Sequence, residues 1–149
     1  MRHMPYQPRV LVSQVIPGPV DEVWERVREF DSIDGWHPVI ADCTIDGGGS
    51  PVQVGVIRDF TAGDRTVRER LVAHSDVDRY YQYTMESDGG AKVDYLSELR
   101  VDPITESDRT LATWTAHYDV EGGDAAAEAE HLNKVFSGGL NTLHDEFSD

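Results

Sequence analysis

The spacing of apolar residues changes period twice along the chain. Arg9 to Ile16 reads as a strand, stopped by Pro17-Gly18-Pro19. Pro19 suits the first position of a helix, and Val20, Val23, Trp24, Val27 and Phe30 then recur at helical spacing. Asp21 and Glu22 fall in that helix's first turn, where negative charge is favourable. A short link (Asp31 to Pro38), read as helical, leads into strand-like runs at Val39–Asp46, Val52–Phe60, Arg65–His74, Arg79–Glu86, Lys92–Val101 and Thr110–Val120. Gly47-Gly48-Gly49, Ala62-Gly63-Asp64, Asp88-Gly89-Gly90 and Ile104–Asp108 punctuate them as turns. From Asp124 to Phe147 the helical period returns, with Asp124 as cap and Leu132, Val135, Phe136, Leu140, Leu143 and Phe147 as the stripe. Short turns between successive strands imply an antiparallel sheet, and only the terminal helix is long enough to cover its apolar face. The expectation is an α+β grip: a curved antiparallel sheet of about seven strands wrapped on a long C-terminal helix. Residues 9–149 form one domain in this reading, with 1–8 an N-terminal extension.

Side-chain alternation selects the residues that line the space between sheet and helix. In Thr66 to Ala73, Val67, Leu71 and Ala73 share one face, Arg68 and Arg70 the other, and Glu69 falls with the apolar set. An inward carboxylate needs a partner, water or a ligand. Arg58 on the neighbouring strand could pair with it, and an Arg-held carboxylate could still bind or deprotonate a ligand. Burial would raise the Glu69 pKa and Arg58 would lower it. Tyr81, Tyr83 and Met85 form one further inward set; Val93, Tyr95, Ser97, Leu99 and Val101 form another. Ala112, Trp114, Ala116, Tyr118 and Val120 form the last. These rings suit either an aromatic core or a pocket for ring-bearing ligands. Trp36 and His37 sit at the link that should rim the cavity, and His131 lies at the edge of the terminal helix's buried face. An imidazole there is either solvated or available for acid-base work. Gly138-Gly139 in mid-helix leaves space beneath the helix or marks a kink or close packing. The first version, an opening into the cavity, is the expectation tested below.

Composition narrows the function classes. Lys plus Arg number 13 against 28 Asp plus Glu, a formal charge of −15, which disfavours nucleic acid and anionic membrane surfaces as partners. Cys43 is the one cysteine, so no internal disulfide and no cysteine-built metal site is possible. There is no HExxH, no CxxC, no phosphate-binding glycine motif and no long apolar run, so neither metal, cofactor nor membrane span is expected. A cytoplasmic monomer or homodimer is the expectation.

Val23-Trp24, Gly35-Trp36-His37-Pro38 with Cys43, and Val54-Gly55-Val56-Ile57-Arg58 are similar to segments of the START/Bet v 1-like superfamily. Arg68-Glu69-Arg70-Leu71, Asp94-Tyr95 and Leu99–Pro103 continue the likeness. It spans about Val10 to Phe147, and the chain resembles most the bacterial SRPBCC proteins of polyketide cyclase/dehydratase type. The resemblance implies the helix-grip fold with an internal cavity. It also implies a cofactor-free enzyme acting on a hydrophobic, ring-bearing or polyketide-type molecule, or else a carrier or sensor for such a molecule. In the related plant abscisic-acid receptors, residues matching Glu69, Tyr95 and Ser97 face the ligand, and the position of His131 looks onto it. Their gate is replaced here by Thr61-Ala62-Gly63-Asp64 and their latch by Ala91-Lys92-Val93, so gate-and-latch signalling is not implied. On this basis Glu69, Tyr95 and His131 are the catalytic candidates. Arg58, Tyr83, Ser97, Trp114, Tyr118, Trp36 and His37 are the ligand-binding ones.

Overall fold

A computed structural model describes residues 7–88, 90 and 92–149. Residues 1–6 of the expected extension, Gly89 in the expected 88–90 turn and Ala91 in the 91–93 segment lie outside them. The elements are β1 (Val10–Ile16), α1 (Val20–Val27), α2 (Ile33–Trp36), β2 (Ile40–Ile45), β3 (Ile57–Ala62), β4 (Arg65–Ser75), β5 (Tyr80–Ser87), β6 (Lys92–Ile104), β7 (Arg109–Val120) and α3 (Ala125–Glu146). Seven strands form one antiparallel sheet in the order β1-β7-β6-β5-β4-β3-β2. The expected architecture is therefore present.

Most element ends fall within two residues of the sequence reading, and the larger differences have physical causes. The strand expected from Val52 begins only at Ile57, because Pro51 lacks an N–H and Gly55 has φ of 104°. β6 runs past Val101 to Ile104, pairing through Pro103 with Thr110. α1 ends at Val27, although Phe30 is fully buried with its stripe. That early stop leaves the Phe30 carbonyl outside the helix, where it accepts a hydrogen bond from the Arg58 side chain. Asp76, at the end of β4, fixes α1 from the sheet side by accepting from Trp24 Nε1 at 2.8 Å and from Arg28.

The Asp124 side chain caps α3 by accepting from the Ala127 amide, and Leu132, Phe136, Gly139, Leu140 and Leu143 turn inward. Phe136 stacks on Trp114 of β7 with ring centroids 4.4 Å apart. Gly139 corrects the expectation of open space. A Cβ there would lie 2.8 Å from His37 Cδ2 and 3.0 Å from ring carbons of both Trp36 and Trp114. The glycine lets the helix backbone touch three rings, so it marks close packing and not a void. At Gly138 a Cβ would meet only Pro38 Cγ, at an ordinary 3.8 Å.

The two neighbouring glycines should therefore respond in opposite directions. Gly138→Ala gains helix propensity without a clash and should stabilise by about 0.5–1 kcal/mol. Gly139→Ala should destabilise by about 1–3 kcal/mol through overpacking against rigid rings. Urea unfolding of both variants checks this, and a stabilised Gly139→Ala protein would refute the packing assignment.

Candidate functional site

β3 and β4 pair in a register that places Arg58 directly opposite Glu69. Alternation turns both inward, and they are 1% and 4% exposed. Arg58 Nε donates to Glu69 Oε1 at 2.8 Å, and Nη2 lies 2.7 Å from the same oxygen. Nη1 donates to the Phe30 carbonyl at 2.8 Å. The guanidinium also lies over the rings of Phe30 and Tyr83, at 3.9 and 4.7 Å from their centroids. Glu69 holds Arg58 firmly charged despite burial. Burial pushes the Glu69 carboxyl up, and the adjacent Arg58 offsets only part of that. The question that alternation left open is thus answered: the carboxylate is ion-paired, and desolvation dominates its basicity.

This pair lines a cavity of about 60 Å³ between the sheet and the first half of α3. Tyr83, Tyr95 and Trp114 line it from the sheet, and Leu132, Val135 and Phe136 from the helix. Phe60, Val67 and Met85 add apolar wall, and the exposed Val39 stands at its outer edge. Trp114 Nε1 donates to the Tyr83 hydroxyl at 3.0 Å, which leaves the phenol's own proton for a second acceptor. Burial pushes the Tyr83 and Tyr95 phenols well above their ordinary range, so both stay protonated. His131 also lines the cavity, from the exposed side of α3. Six of the ten candidates therefore converge on one space: Glu69, Tyr95, His131, Arg58, Tyr83 and Trp114.

The other four candidates do not line the cavity. Ser97 is buried and donates to the Thr115 carbonyl across the β6–β7 ladder at 2.7 Å. Tyr118 stacks behind Tyr95, with centroids 5.9 Å apart. Trp36 packs on Trp114 at 5.6 Å. His37 uses both ring nitrogens: Nε2 donates to the Val135 carbonyl at 2.7 Å, and Nδ1 accepts from the Val39 amide at 3.2 Å. Only the neutral ring with its proton on Nε2 satisfies both bonds. His37 thus ties the link after α2 to α3, and burial with the nearby Arg58 charge lowers its pKa.

Alternation missed Asp88 and Lys92, and the cause is two bulges. Between Val93 and Leu96, β6 carries one residue more than β7, with Asp94 at φ of 53°. Val93, expected inside, stands opposite the exposed Asp119, while Lys92 stands opposite Val120 and turns inward. An extra residue in β5 opposite Arg68/Glu69 likewise leaves Asp88 on the inner side. Lys92 Nζ lies 2.7 Å from Asp88 Oδ2 and 2.8 Å from Glu128 Oε1 of α3, with its side chain 1% exposed. Burial pushes Asp88 up, but its bonds from Lys92 and the Gly90 amide outweigh this and hold it low. The turn residues at 88–90 and the replaced latch segment at 91–93 were the sequence signals near this cluster. Among the described residues no group of three His, Cys, Asp or Glu side chains is arranged to hold a metal ion. No helix among them is long and apolar enough to cross a membrane.

A curved antiparallel sheet gripping one helix around a part-polar cavity defines the Bet v 1-like class of small domains. The chain belongs to the polyketide cyclase/dehydrase and lipid transport family, which matches residues 7–147. Protein XoxI from Bacillus cereus is 26% identical, covering 93% of this chain and 94% of its own, with a TM-score of 0.83. A protein from Thermobifida fusca is 31% identical over 93% of this chain and 91% of its own, with a TM-score of 0.82. Major latex-like protein 151 from Panax ginseng shares the fold at 15% identity, over 94% and 97% of the two chains, with a TM-score of 0.78. No curated protein matches closely enough to lend the chain an activity.

Two outcomes follow from the geometry. Arg58→Met strands a buried carboxylate and should destabilise by about 3–5 kcal/mol, whereas Arg58→Met with Glu69→Leu should recover most of that loss. Equal damage in the single and double variants, measured by urea unfolding, would refute a pair held mainly by mutual compensation. For His37 the folded pKa lies below the unfolded value of about 6.5. As pH falls through that value the unfolded chain takes up the proton first, so this contribution is complete above about pH 6.5 and lost below it. The Tm advantage of wild type over His37→Gln should therefore shrink between pH 7.5 and pH 5.5, as followed by thermal unfolding.

Proposed function

We propose that the protein is a cofactor-free cyclase/dehydratase-type enzyme that acts by general acid/base chemistry on a small ring-bearing hydroxy-carbonyl compound. The observation that carries this reading is the Arg58–Glu69 pair facing a cavity it shares with two protonated phenols. Arg58 engages Oε1 with both its contacts, which leaves Oε2 without an Arg58 bond and able to meet a ligand. A carboxylate made more basic by burial is suited to taking a proton from carbon beside a carbonyl. Tyr83, its hydroxyl oriented by Trp114, would donate to the resulting enolate oxygen. In the dehydration step a C–H and a C–O bond break and a C=C bond forms. The proton taken by Glu69 leaves with the β-hydroxyl as water, and Tyr95 steadies that oxygen on departure. At about 60 Å³ the cavity is smaller than the roughly 150 Å³ of an engineered cavity that takes benzene, so a single ring or one end of a longer molecule would be enclosed only in part. The protein would work in the cytoplasm, with no membrane or nucleic-acid partner.

A second reading, a carrier or sensor of the same class of molecule, is favoured by one observation: the pairing that orients Glu69 also restrains it. Turnover separates the two. Conversion of an aryl β-hydroxy ketone to its enone, followed by absorbance, should fall at least about 100-fold in Glu69→Gln. Unchanged turnover in that variant removes Glu69 from the chemistry. An unmodified ligand retained in native mass spectrometry, with no turnover by wild type, would favour the carrier.

A further inference from the structure

Arg65, at the start of β4, lines the outer part of the cavity. Most of the described basic side chains are committed to carboxylates: Arg26, Arg28, Arg68, Arg70 and Arg79 each form an ion pair. The backbone of Arg65 pairs with Ala62 in the β3–β4 ladder, but among the described residues its side chain forms neither an ion pair nor a hydrogen bond. The carboxylate whose charge it feels, Asp88, is already engaged by Lys92 and by the Gly90 amide. His131 of α3 also lines the cavity, close enough to Arg65 to feel its charge, and among the described residues its side chain forms no hydrogen bond. In a chain with 28 acidic and 13 basic residues, an uncommitted guanidinium at a cavity mouth is not explained by surface neutralisation.

We propose that this mouth is an anion subsite, in which Arg65, with His131 beside it, holds the carboxylate of a small aryl-alkanoic acid whose ring reaches into the aromatic interior. The inference rests on the cavity being a ligand site, and it names the class of ligand. Arg65 offers the planar fork that a carboxylate accepts in two parallel bonds. Lys92 is spent on Asp88 and Glu128, so the guanidinium of Arg65 is the group that carries the charge for a bound anion. Those two carboxylates, with the formal charge of −15, oppose a dianion such as phosphate and leave a monoanion as the fit. The charged groups are the more exposed part of the lining and the rings the buried part: Arg65 is half-buried and His131 exposed, whereas Tyr83 and Trp114 are buried. One molecule with an acidic tail and an apolar ring satisfies both.

Protein-observed NMR titration with 3-phenylpropanoate and with 3-phenylpropanamide tests this directly. Wild type should bind the acid at least about tenfold more tightly than the neutral amide. Arg65→Gln should bring the acid down to the amide's affinity while leaving the amide's own affinity unchanged, and Arg65→Lys should restore part of the preference. Equal affinity for acid and amide in wild type overturns the inference and leaves the cavity reading standing. Equal weakening of both ligands in Arg65→Gln overturns it as well. Failure of both ligands to bind wild type overturns the inference together with the reading of the cavity as a single-ring site.

Discussion

A guanidinium held between aromatic rings, with a carboxylate as its partner, constrains most of what surrounds it. Arg58 of β3 touches Glu69 of β4, the Phe30 carbonyl beyond α1 and the Tyr83 ring of β5. Each contact comes from a different element, so the pair fixes how the end of α1 sits in the mouth of the sheet. Neither charge is tolerable without the other in this environment. Together they place a neutral but strongly polar group in an apolar wall. The tyrosines around it stay protonated for the same reason that Glu69 becomes more basic: burial disfavours every additional negative charge.

The long helix does two jobs at its two ends. Its second half lies tightly on the fold, with Gly139 against three rings and Leu140 and Leu143 buried. In its first half, His131, Leu132, Val135 and Phe136 face the cavity. That half is held at a distance by tethers: Lys92 binds Glu128 from the sheet, and His37 binds the Val135 carbonyl from the α2 link. The cavity exists where side chains, not backbone, set the spacing between helix and sheet.

Much of this was legible in the chain. Two periods, 2.0 and 3.6, separate strands from helices, and a terminal helix alone could cover seven short-turned strands. Glu69 announced itself because a carboxylate in an apolar alternation breaks the pattern, and parity brought Tyr83, Tyr95 and Trp114 to the same side. Periodicity could not reveal Lys92 or Asp88. A bulge inserts one residue and reverses parity beyond it, and nothing in the composition of 88–94 fixes where that residue goes. Gly138 and Gly139 were equally opaque, since a missing side chain reads the same whether its place is empty or filled by a neighbour. Which groups face inward along each regular strand follows from the order of residues alone, because side-chain direction is a local property of the backbone. Which groups meet does not. The Arg58–Glu69 pairing, the double use of the His37 ring and the uncommitted Arg65 depend on register, bulges and helix placement, and distant segments set those together.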